Sequence, residues 1–583
     1  MLHRIISAAL SRVICAMLLL GSLPAMQNSS PLPAQASAPA SLPTQAPPPP
    51  QRGFRIAGIV VDALTGRPIP SASVAIAPLT HGEERDISKS VVTGADGRFS
   101  FAGLSQGKYS LNGRARGFSF QAYDHHDQYA TAIATGPGLD SEHLVFRLQP
   151  DASVEGDVTD ENNDPVQYAM VRLFSTKSRD GLYGSTAPID QTQTDDQGHY
   201  HLGHLDPAGY YLAVSARPWY AQNVRAPNPY NPSPQNANSY SPDAGDDANL
   251  DVTYPLTFYP DVTDSADATP LELAPGERET ANIVLRAVPA LHLRIRTAGS
   301  APNPIIGRMI FPRVSQRIFG GYLDSVYNAP DSWVAPGVLE VSGLAPGHYV
   351  IEIPASTGSS EKGGSKGWYR EIDLSGDADI SASEAPGFVT ITGTILFENS
   401  AVPKGASIQL LNPDTGETFR GEVDDKGEFD FPSDNVRAGR YLLSLSTSGF
   451  YLKKVVATGA RLSGRAIDIG PNGNVRLAAI ASRGEGRVDG AAMRDNEPFA
   501  GAMIVLIPQD PANNFPLFRR DQSDSDGTFT LAHVVPGQYA VIAIANGWDL
   551  EWANPAVLQP YLKHGEIVQV PADGRLQVKV QVQ

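Results

Sequence analysis

A short phrase of residues recurs at domain-sized intervals along the chain, and this repetition constrains the fold more than any other feature. The phrase opens with a glycine turn, continues with two aromatic or apolar residues at alternate positions, and ends with a glycine two residues before a tyrosine. Its fullest copies span 96–109 and 526–539 with the same internal spacing. The residues that carry it are Asp96, Gly97, Phe99, Tyr109, Gly198, Tyr211, Pro346, Tyr349, Gly427, Tyr441, Asp526, Gly527, Phe529 and Tyr539. A fixed phrase at such intervals indicates a tandem array of one small fold.

The recurring residues are those that build a fold, and none of them does chemistry. An Asp-Gly pair supplies the positive φ of a tight hairpin, and the aromatic residue and its neighbour two positions on share the inward face of a strand. The tyrosine is typical of a tyrosine corner, in which the ring fills the core edge and the hydroxyl bonds to backbone. No stretch has a strong amphipathic helix pattern. Each unit therefore predicts an antiparallel β-sandwich of about seven short strands.

Composition and strand patterning divide the chain into a leader, a linker and five sandwiches. Arg4 and Arg12 precede an apolar run at 13–20, which predicts a secretory signal peptide over 1–26. Residues 27–53 are rich in Pro, Ala, Ser and Gln, which predicts a disordered linker. No later stretch is apolar enough for a membrane helix, so we expect no transmembrane span in the mature chain. The sandwiches are predicted at 54–149, at 150–287 with a long loop at 219–253, at 288–384 in degenerate form, at 385–480 and at 481–583.

The first predicted sandwich resembles the carboxypeptidase regulatory-like domain family. The residues that carry the resemblance are Gly58, Val60, Asp62, Gly66, Pro68, Ala72, Val74, Asp96, Gly97, Phe99, Phe101, Leu104, Gly107 and Tyr109. The second, fourth and fifth units match the pattern well and the third poorly. The resemblance implies a transthyretin-like (prealbumin-like) sandwich and a non-catalytic domain of the kind found in multi-copy exported bacterial proteins. The fold class is then all-β, a tandem array of five antiparallel transthyretin-like or Ig-like sandwiches.

Charge and cysteine usage limit the partners and the means of stabilisation. The net charge of −17 disfavours nucleic-acid backbones. The sole cysteine, Cys15, lies in the predicted signal peptide. An exported mature chain would therefore lack disulfides and rely on burial alone.

Several histidines and aspartates have spacings that invite a metal. His199 and His201 would project from the same face of a strand, and Asp524 and Asp526 precede Gly527 as in a calcium loop. His81 and Glu84 match the bare His-x-x-Glu spacing. In each case a third ligand is not fixed by the sequence, so a solvated strand face or a plain turn is the favoured interpretation. We predict no metal and no cofactor.

Aromatic residues outside the repeat are candidates for ligand binding. Trp333, Trp368, Tyr369 and Trp552 do not recur, which favours them as platforms for a ligand. A second set recurs eight or nine residues after the phrase's tyrosine, and recurrence argues for packing: Phe118, Trp219, Phe450 and Trp548. Exposure of Trp368 and Trp552 on one rim would favour glycan binding, and burial would favour a spacer.

These observations predict a non-enzymatic protein exported to the periplasm, the outer surface or the medium. Its expected role is that of a scaffold or binding protein of the cell envelope or extracellular space. Its expected partner is a protein or polysaccharide at the cell surface and not a nucleic acid. Polysaccharide binding through exposed aromatics is one alternative, and metal- or calcium-dependent adhesion is another.

Overall fold

The structure is a computed structural model that describes residues 53–79, 88–177, 186–221, 250–296, 312–324, 331–335, 337–353, 367–432, 436–471 and 473–583. The predicted signal peptide and nearly all of the predicted linker lie outside the described residues, as do the pair His81 and Glu84 and most of the predicted loop at 219–253. The side chain of Trp333 also lies outside them. Residues Gly53–Gln583 form one compact unit, built of five successive pairs of sheets.

Sandwich 1 has strands β1 (Phe54–Asp62), β2 (Ser73–Pro78), β3 (Lys89–Val92), β4 (Arg98–Leu104), β5 (Gly107–Ala115), β6 (Phe118–Ala122), β7 (Ile133–Thr135) and β8 (Leu144–Leu148). One sheet has the order β4-β1-β8. The other has the order β3-β2-β5-β6, with β7 also paired to β5.

Sandwich 2 has strands β9 (Ala152–Thr159), β10 (Met170–Ser175), β11 (Asp190–Gln193), β12 (His199–Leu205), β13 (Gly209–Ser215), β14 (Val252–Thr253), β15 (Thr257–Phe258), β16 (Leu271–Glu272), β17 (Arg278–Thr280) and β18 (Ile283–Val284). The sheets are β12-β9-β17, with β18 on β9, and β11-β10-β13-β15, with β16 on β13. A two-stranded sheet of β14 and β19 (Val288–Pro289) lies at the junction with sandwich 3.

Sandwich 3 has strands β20 (Leu291–Arg296), β21 (Arg313–Ile318), β22 (Gly321–Asp324), β23 (Asp331–Ala335), β24 (Val338–Leu344), β25 (Gly347–Ile353), β26 (Trp368–Leu374) and β27 (Ala378–Ser381). Its sheets are β23-β24-β20-β27 and β22-β21-β25-β26. The two sheets therefore persist in the unit whose sequence repeat is weakest.

Sandwich 4 has strands β28 (Thr390–Phe397), β29 (Ser407–Leu411), β30 (Thr418–Glu422), β31 (Glu428–Asp430), β32 (Gly439–Ser446), β33 (Phe450–Thr458), β34 (Arg461–Ser463), β35 (Ala466–Ile469) and β36 (Asn474–Arg483). Its sheets are β31-β28-β36-β33 and β30-β29-β32-β35-β34.

Sandwich 5 has strands β37 (Gly486–Arg494), β38 (Glu497–Pro498), β39 (Met503–Pro508), β40 (Arg519–Gln522), β41 (Thr528–Val534), β42 (Gly537–Ile544), β43 (Glu566–Val570) and β44 (Arg575–Gln581). Its sheets are β38-β37-β41, with β44 on β37, and β40-β39-β42-β43. The tandem β-sandwich architecture predicted from the repeat is the observed one.

The first and last strands of every sandwich pair in parallel, which the expected antiparallel fold did not include. Examples are β1 with β8, β28 with β36, and β37 with β44. In sandwiches 1, 3, 4 and 5 the strand before the last one lies in the opposite sheet, and in sandwich 2 the last two strands, β17 and β18, both pair with β9 and follow β16 of the opposite sheet. The chain therefore crosses between the sheets and enters the last strand in the direction of the first, as a parallel pair requires.

Each sandwich has its own apolar interior, built from the alternation of the strands. In β4, for instance, Phe99 and Phe101 are buried while the residues between and beside them are exposed. One short helix, α1 (Pro555–Leu562), was not predicted. It begins with Asn554 as N-cap and proline at its first position. Leu558 anchors it in a second apolar cluster on the outer side of sandwich 5. No helix among the described residues is long and apolar enough to cross a membrane.

Candidate functional site

The glycine that opens the phrase adopts the left-handed conformation in four sandwiches, with φ between 70° and 81° at Gly97, Gly198, Gly427 and Gly527. Space is a second constraint, because the turn lies directly against the first strand. A Cβ on Gly198 would lie 2.5 Å from the carbonyl oxygen of Val158. The turn therefore requires glycine for its conformation and for its close approach.

The aspartate three residues before this glycine has a different role in sandwich 5. In sandwich 2, Asp195 caps its own turn, accepting from the amides of Gln197 and His199 at 2.9 Å each. Asp424 caps the turn of sandwich 4 in the same way. The main-chain amide of Asp524 donates to the carbonyl of Thr528 at 2.8 Å, within its own turn. Its carboxylate, however, points to sandwich 1.

Asp524 joins the fifth sandwich to the first. Its Oδ1 accepts a hydrogen bond from the amide of Ala132 at 2.9 Å, and its Oδ2 accepts one from Lys108 Nζ. The adjacent Ser525 donates its amide to the carbonyl of Ala132 at 2.9 Å and accepts from the amide of Ala134 at 2.8 Å. Two sandwiches nearly four hundred residues apart are thus joined partly through backbone.

The pKa values of the equivalent aspartates in sandwiches 2 and 5 show the electrostatic cost of this contact. Backbone hydrogen bonds from His199 and Gln197 lower the pKa of Asp195 at its exposed turn. Burial instead raises the pKa of Asp524, opposed by the positive charge of Lys108. Burial also raises the pKa of Asp521, in the strand leading to this turn, to about 6. Carboxylates are therefore desolvated where the two sandwiches meet.

Polar side chains of sandwich 5 extend the contact. Gln522 donates to Thr131 Oγ1 at 2.8 Å and also to the carbonyl oxygen of Asp124. Its Oε1 lies 3.2 Å from His126 Nδ1. Gly501 lies against the loop that contains Asp124, and a side chain would not fit there, because a Cβ would lie 2.6 Å from Asp124 Oδ2. These contacts position the 124–132 segment of sandwich 1 against sandwich 5.

Stacked aromatic rings and an arginine form the apolar part of the contact. The Arg520 guanidinium lies 4.1 Å from the ring centre of Trp552 and 5.0 Å from that of Tyr129. The His126 ring stacks on Trp548 at 4.9 Å with planes 8° apart. The Arg520 side chain is only 3% exposed, and among the described residues the carboxylate paired with it is that of Asp127, at 3.5 Å. Cation–π contacts thus take much of the place of ion pairing around this charge.

The remaining junctions join neighbours along the chain. Between sandwiches 1 and 2, the amide of Asp151 donates to the carbonyl of Gly117 at 3.0 Å. Between sandwiches 2 and 3, Phe319 stacks on Tyr211 at 4.5 Å within a small apolar cluster.

Between sandwiches 3 and 4, the amide of Ala438 donates to the hydroxyl of Tyr369 at 3.2 Å. Between sandwiches 4 and 5, Arg440 donates to Asn513 Oδ1 at 2.6 Å. Each sandwich contacts the next, and the fifth contacts the first, so the five form a closed ring.

The tyrosines of the phrase are buried and bond to backbone four residues earlier. Within each sandwich a tyrosine hydroxyl donates to a main-chain carbonyl, in the pairs Tyr109 to Ser105, Tyr210 to Asp206, Tyr349 to Ala345, Tyr441 to Arg437 and Tyr539 to Val535. Burial raises the pKa of Tyr349 and of Tyr539 to about 12. These hydroxyls therefore stay protonated as donors and serve the scaffold.

In sandwich 2 the corner is made by Tyr210 and not by Tyr211, which corrects the assignment from sequence. Tyr210 is 4% exposed and its hydroxyl lies 2.7 Å from the Asp206 carbonyl. Tyr211 points to the opposite face and packs on Phe319 of sandwich 3. The assignment from sequence took the tyrosine two residues after Gly209, one residue too far along the chain. A shift of one residue exchanges the two faces of a strand.

Three of the aromatic candidates have covered rings. Trp368 is 6% exposed in the interior of sandwich 3, Tyr369 is 8% exposed beside Phe388, and Trp552 is 9% exposed over Arg520. They present no open ring face in this structure. Trp552 belongs instead to the contact between sandwiches 1 and 5.

The metal candidates that lie among the described residues have protein partners. His199 Nδ1 lies 3.1 Å from Asp157 and His201 Nδ1 lies 3.6 Å from Glu155, on the outer face of β12. Asp526 caps its own turn by accepting from the amide of Thr528 at 3.1 Å. Among the described residues, no group of three or more His, Cys, Asp or Glu side chains is placed to hold a metal ion.

The contact between sandwiches 1 and 5 was not predicted from the sequence, although the sequence contains one indication of it. Sandwich 5 has an aspartate both three residues before its turn glycine and directly before it, Asp524 and Asp526, whereas Gln197 and Lys426 directly precede the glycine in sandwiches 2 and 4. One aspartate suffices to cap such a turn, as Asp195 and Asp424 show. The redundancy left Asp524 available for another partner.

The architecture defines a multi-domain β-sandwich protein, and its first sandwich can be assigned to a family. Residues 55–138 match the model of the carboxypeptidase regulatory-like domain. The first sandwich is therefore a carboxypeptidase regulatory-like domain, as the resemblance implied. No curated protein matches the chain.

Solved structures similar to the chain include two pilin subunits and one further protein, all at low sequence identity. The minor pilin of Streptococcus agalactiae is 12% identical over 41% of this chain and 97% of its own, with a TM-score of 0.21. The TIE protein of Bacillus anthracis is 12% identical over 76% of each chain, with a TM-score of 0.17. The major pilin subunit of Bacillus cereus is 10% identical over 74% of this chain and 99% of its own, with a TM-score of 0.12. No functional statement about the present chain follows from these likenesses.

Proposed function

We propose that the chain is a non-catalytic scaffold or binding protein of the bacterial cell envelope or extracellular space, with its five sandwiches held in a closed ring. The observation that carries the proposal is the bond of Asp524 with Lys108 and Ala132, which joins the last sandwich to the first. A ring fixes the loops of all five units relative to one another. An extended spacer would instead leave its terminal domains apart.

The placement of the buried ionisable groups supports a structural role. Arg437 lies between sandwiches 3 and 4, 3.6 Å from Glu352 and over the Tyr322 ring at 4.6 Å. His292 lies at the junction of sandwiches 2 and 3, 2.7 Å from Asp251. In an enzyme, buried ionisable groups typically face a cleft, whereas these groups face another sandwich or a junction.

The sequence supports export, since Arg4 and Arg12 precede an apolar run that ends at Leu20. The alternative of calcium-dependent adhesion has less support, because Asp524 and Asp526 already have partners within the chain. Polysaccharide binding through Trp368, Tyr369 or Trp552 is likewise disfavoured by the burial of their rings.

Zero-length cross-linking tests the ring directly. Carbodiimide activation of carboxylates on the intact chain should form an amide between Lys108 and Asp524, detected by mass spectrometry as a linked peptide pair within monomeric protein. Asp524→Asn is the matched control, because it removes the reactive carboxylate and keeps the side-chain shape. Absence of the linked pair, while the exposed pair Lys453 and Glu398 becomes linked as expected from its 2.9 Å separation, would contradict the proposal.

A further inference from the structure

An aromatic residue lies nine positions after the corner tyrosine in four of the sandwiches. With Tyr210 as the corner of sandwich 2, the spacing is the same in all four: Phe118, Trp219, Phe450 and Trp548. Three of these rings are packed against other groups. Phe118 packs on the core of sandwich 1, Phe450 contacts Phe397 at 5.1 Å, and Trp548 is covered by His126 at 4.9 Å.

Trp219 departs from this pattern. It is 89% exposed, whereas Phe450 is 4% and Trp548 is 8% exposed. Among the described residues its ring neighbour is Tyr220, which meets it edge-on at 5.7 Å with planes 86° apart. Within the described part of the chain both faces of this large aromatic side chain are therefore available, at a position where Phe450 and Trp548 pack on another ring.

A second exposed aromatic lies at the same end of sandwich 2. Tyr168 is 71% exposed and has φ of +57°. The equivalent turn residue is Ser71 in sandwich 1, and it is Gly501 in sandwich 5, because each donates its amide to the matching Thr or Ser carbonyl across the turn. A bulky aromatic residue rarely adopts this conformation, and such residues are enriched at functional sites.

The strand register places Tyr168 and Trp219 together at one end of the sheet. Met170 at the start of β10 pairs with Ser215 at the end of β13. Tyr168 precedes the first of these strands by two residues and Trp219 follows the second by four. Tyr220 is held at this end by its hydroxyl, 3.5 Å from Glu161 Oε1.

The charges around this end narrow the ligand class. Asp160, Glu161 and Asp195 are carboxylates of the turns that border it, and they disfavour an anionic ligand. Asp160 already accepts from the amides of Asn162 and Asp164, and Asp195 accepts from two amides of its own turn. These two carboxylates are therefore engaged, which leaves them less able to pair with a cation.

A peptide bound as in sandwich 5 does not fit here. The equivalent end of sandwich 5 receives the 124–132 segment because Gly501 has no side chain, and a Cβ there would lie 2.6 Å from Asp124 Oδ2. Sandwich 2 has Tyr168 in that place. The flat faces of Trp219 and Tyr168 instead suit the C–H faces of sugar rings, whose hydroxyls can bond to the polar groups around them.

We infer that this end of sandwich 2 is a binding site for a neutral polysaccharide, with Trp219 as the principal stacking platform and Tyr168 as the second. The site was not among the platforms favoured by the sequence, which treated Trp219 as a packing residue. It goes beyond the scaffold role and does not depend on closure of the ring.

Affinity gel electrophoresis of the intact chain tests this site, with soluble starch, hydroxyethylcellulose and glucomannan as separate neutral probes and poly-lysine as the cationic probe. We expect at least one neutral polysaccharide to retard the wild-type chain. Trp219→Ala should weaken that interaction at least about tenfold, as loss of a stacked ring implies. Tyr168→Gly should also weaken it, with thermal stability unchanged or raised because glycine accepts the positive φ.

Phe120→Ala is the matched control, since Phe120 is an exposed aromatic residue (67%) on sandwich 1 and its loss should leave retardation unchanged. Two results would overturn the inference. One is the absence of retardation by all three neutral polysaccharides, including the case in which poly-lysine binds through Trp219. The other is retardation that persists unchanged in Trp219→Ala.

Discussion

Lys108 of the first sandwich donates a hydrogen bond to Asp524 of the fifth, and both side chains are largely removed from solvent, at 29% and 14% exposed. The bond joins residues 416 positions apart. It uses an aspartate that in two other sandwiches caps its own turn. A repeated fold has thus been adapted at one position to close the array on itself.

Replacing Asp524 by alanine should open the ring while leaving each sandwich folded. The change removes the carboxylate that accepts hydrogen bonds from Lys108 and from the Ala132 amide, so both donors lose this acceptor. A loss of about 1.5–3 kcal/mol of contact free energy is expected for a charge-assisted hydrogen bond. Small-angle X-ray scattering should show a larger radius of gyration.

Asp424→Ala is the control for this prediction, because it removes the same residue type from the equivalent turn of sandwich 4. That change should cost about 1 kcal/mol of stability, by analogy with other side-chain caps, and leave the radius of gyration unchanged. Equal radii for wild-type and Asp524→Ala would mean that the polar contact is not needed for closure.

Arg520→Lys should weaken the same interface although the charge is kept. A planar guanidinium stacks on Trp552 and Tyr129, whereas an ammonium group is compact and strongly hydrated. The expected loss is about 1–2 kcal/mol. Increased exposure of Trp548 and Trp552 should appear as a red shift of tryptophan emission and greater quenching by acrylamide. Arg55→Lys, at an exposed arginine of sandwich 1, should leave the emission unchanged.

The sandwiches were predictable because their determinants are local. Phe99 and Phe101 are two residues apart, and this period alone places both on the inner face of β4. Gly527 was identifiable because a tight turn needs positive φ. The parallel pairing of β1 with β8 was not predictable in this way, since it depends on which sheet the chain visits before its last strand.

Contacts between sandwiches could not be predicted from the sequence, for a physical reason. Trp552 has no repeat equivalent and was therefore favoured as a ligand platform, but a ring is covered or open according to the surfaces that meet it. Here Arg520 of the same sandwich covers it beside Tyr129 of sandwich 1. Trp219 shows the opposite case, since its recurrence suggested packing and it is exposed.

The two neighbouring tyrosines of β13 should respond differently to loss of the hydroxyl. Tyr210→Phe removes the donor to the Asp206 carbonyl and should lower the stability of sandwich 2 by about 1 kcal/mol. Tyr211→Phe keeps the ring that stacks on Phe319 and should change stability by less than about 0.5 kcal/mol. Urea unfolding followed by circular dichroism measures both. A larger loss for Tyr211→Phe would place the corner at Tyr211 after all.

The junction of sandwiches 2 and 3 should weaken as the pH rises, because of His292. Burial lowers the pKa of this imidazole, but the carboxylates of Asp251 at 2.7 Å and Glu340 at 3.4 Å outweigh burial and raise the pKa above its ordinary value. A raised folded-state pKa means that the folded chain binds more protons, so the stabilisation is complete below about pH 6.5 and is lost as pH rises through the folded-state value.

Urea unfolding between pH 5.5 and 8.5 should show this decline, and His292→Gln should remove it. His143→Gln, at an exposed histidine, should retain it, and an unchanged pH dependence in His292→Gln would show that another group is responsible.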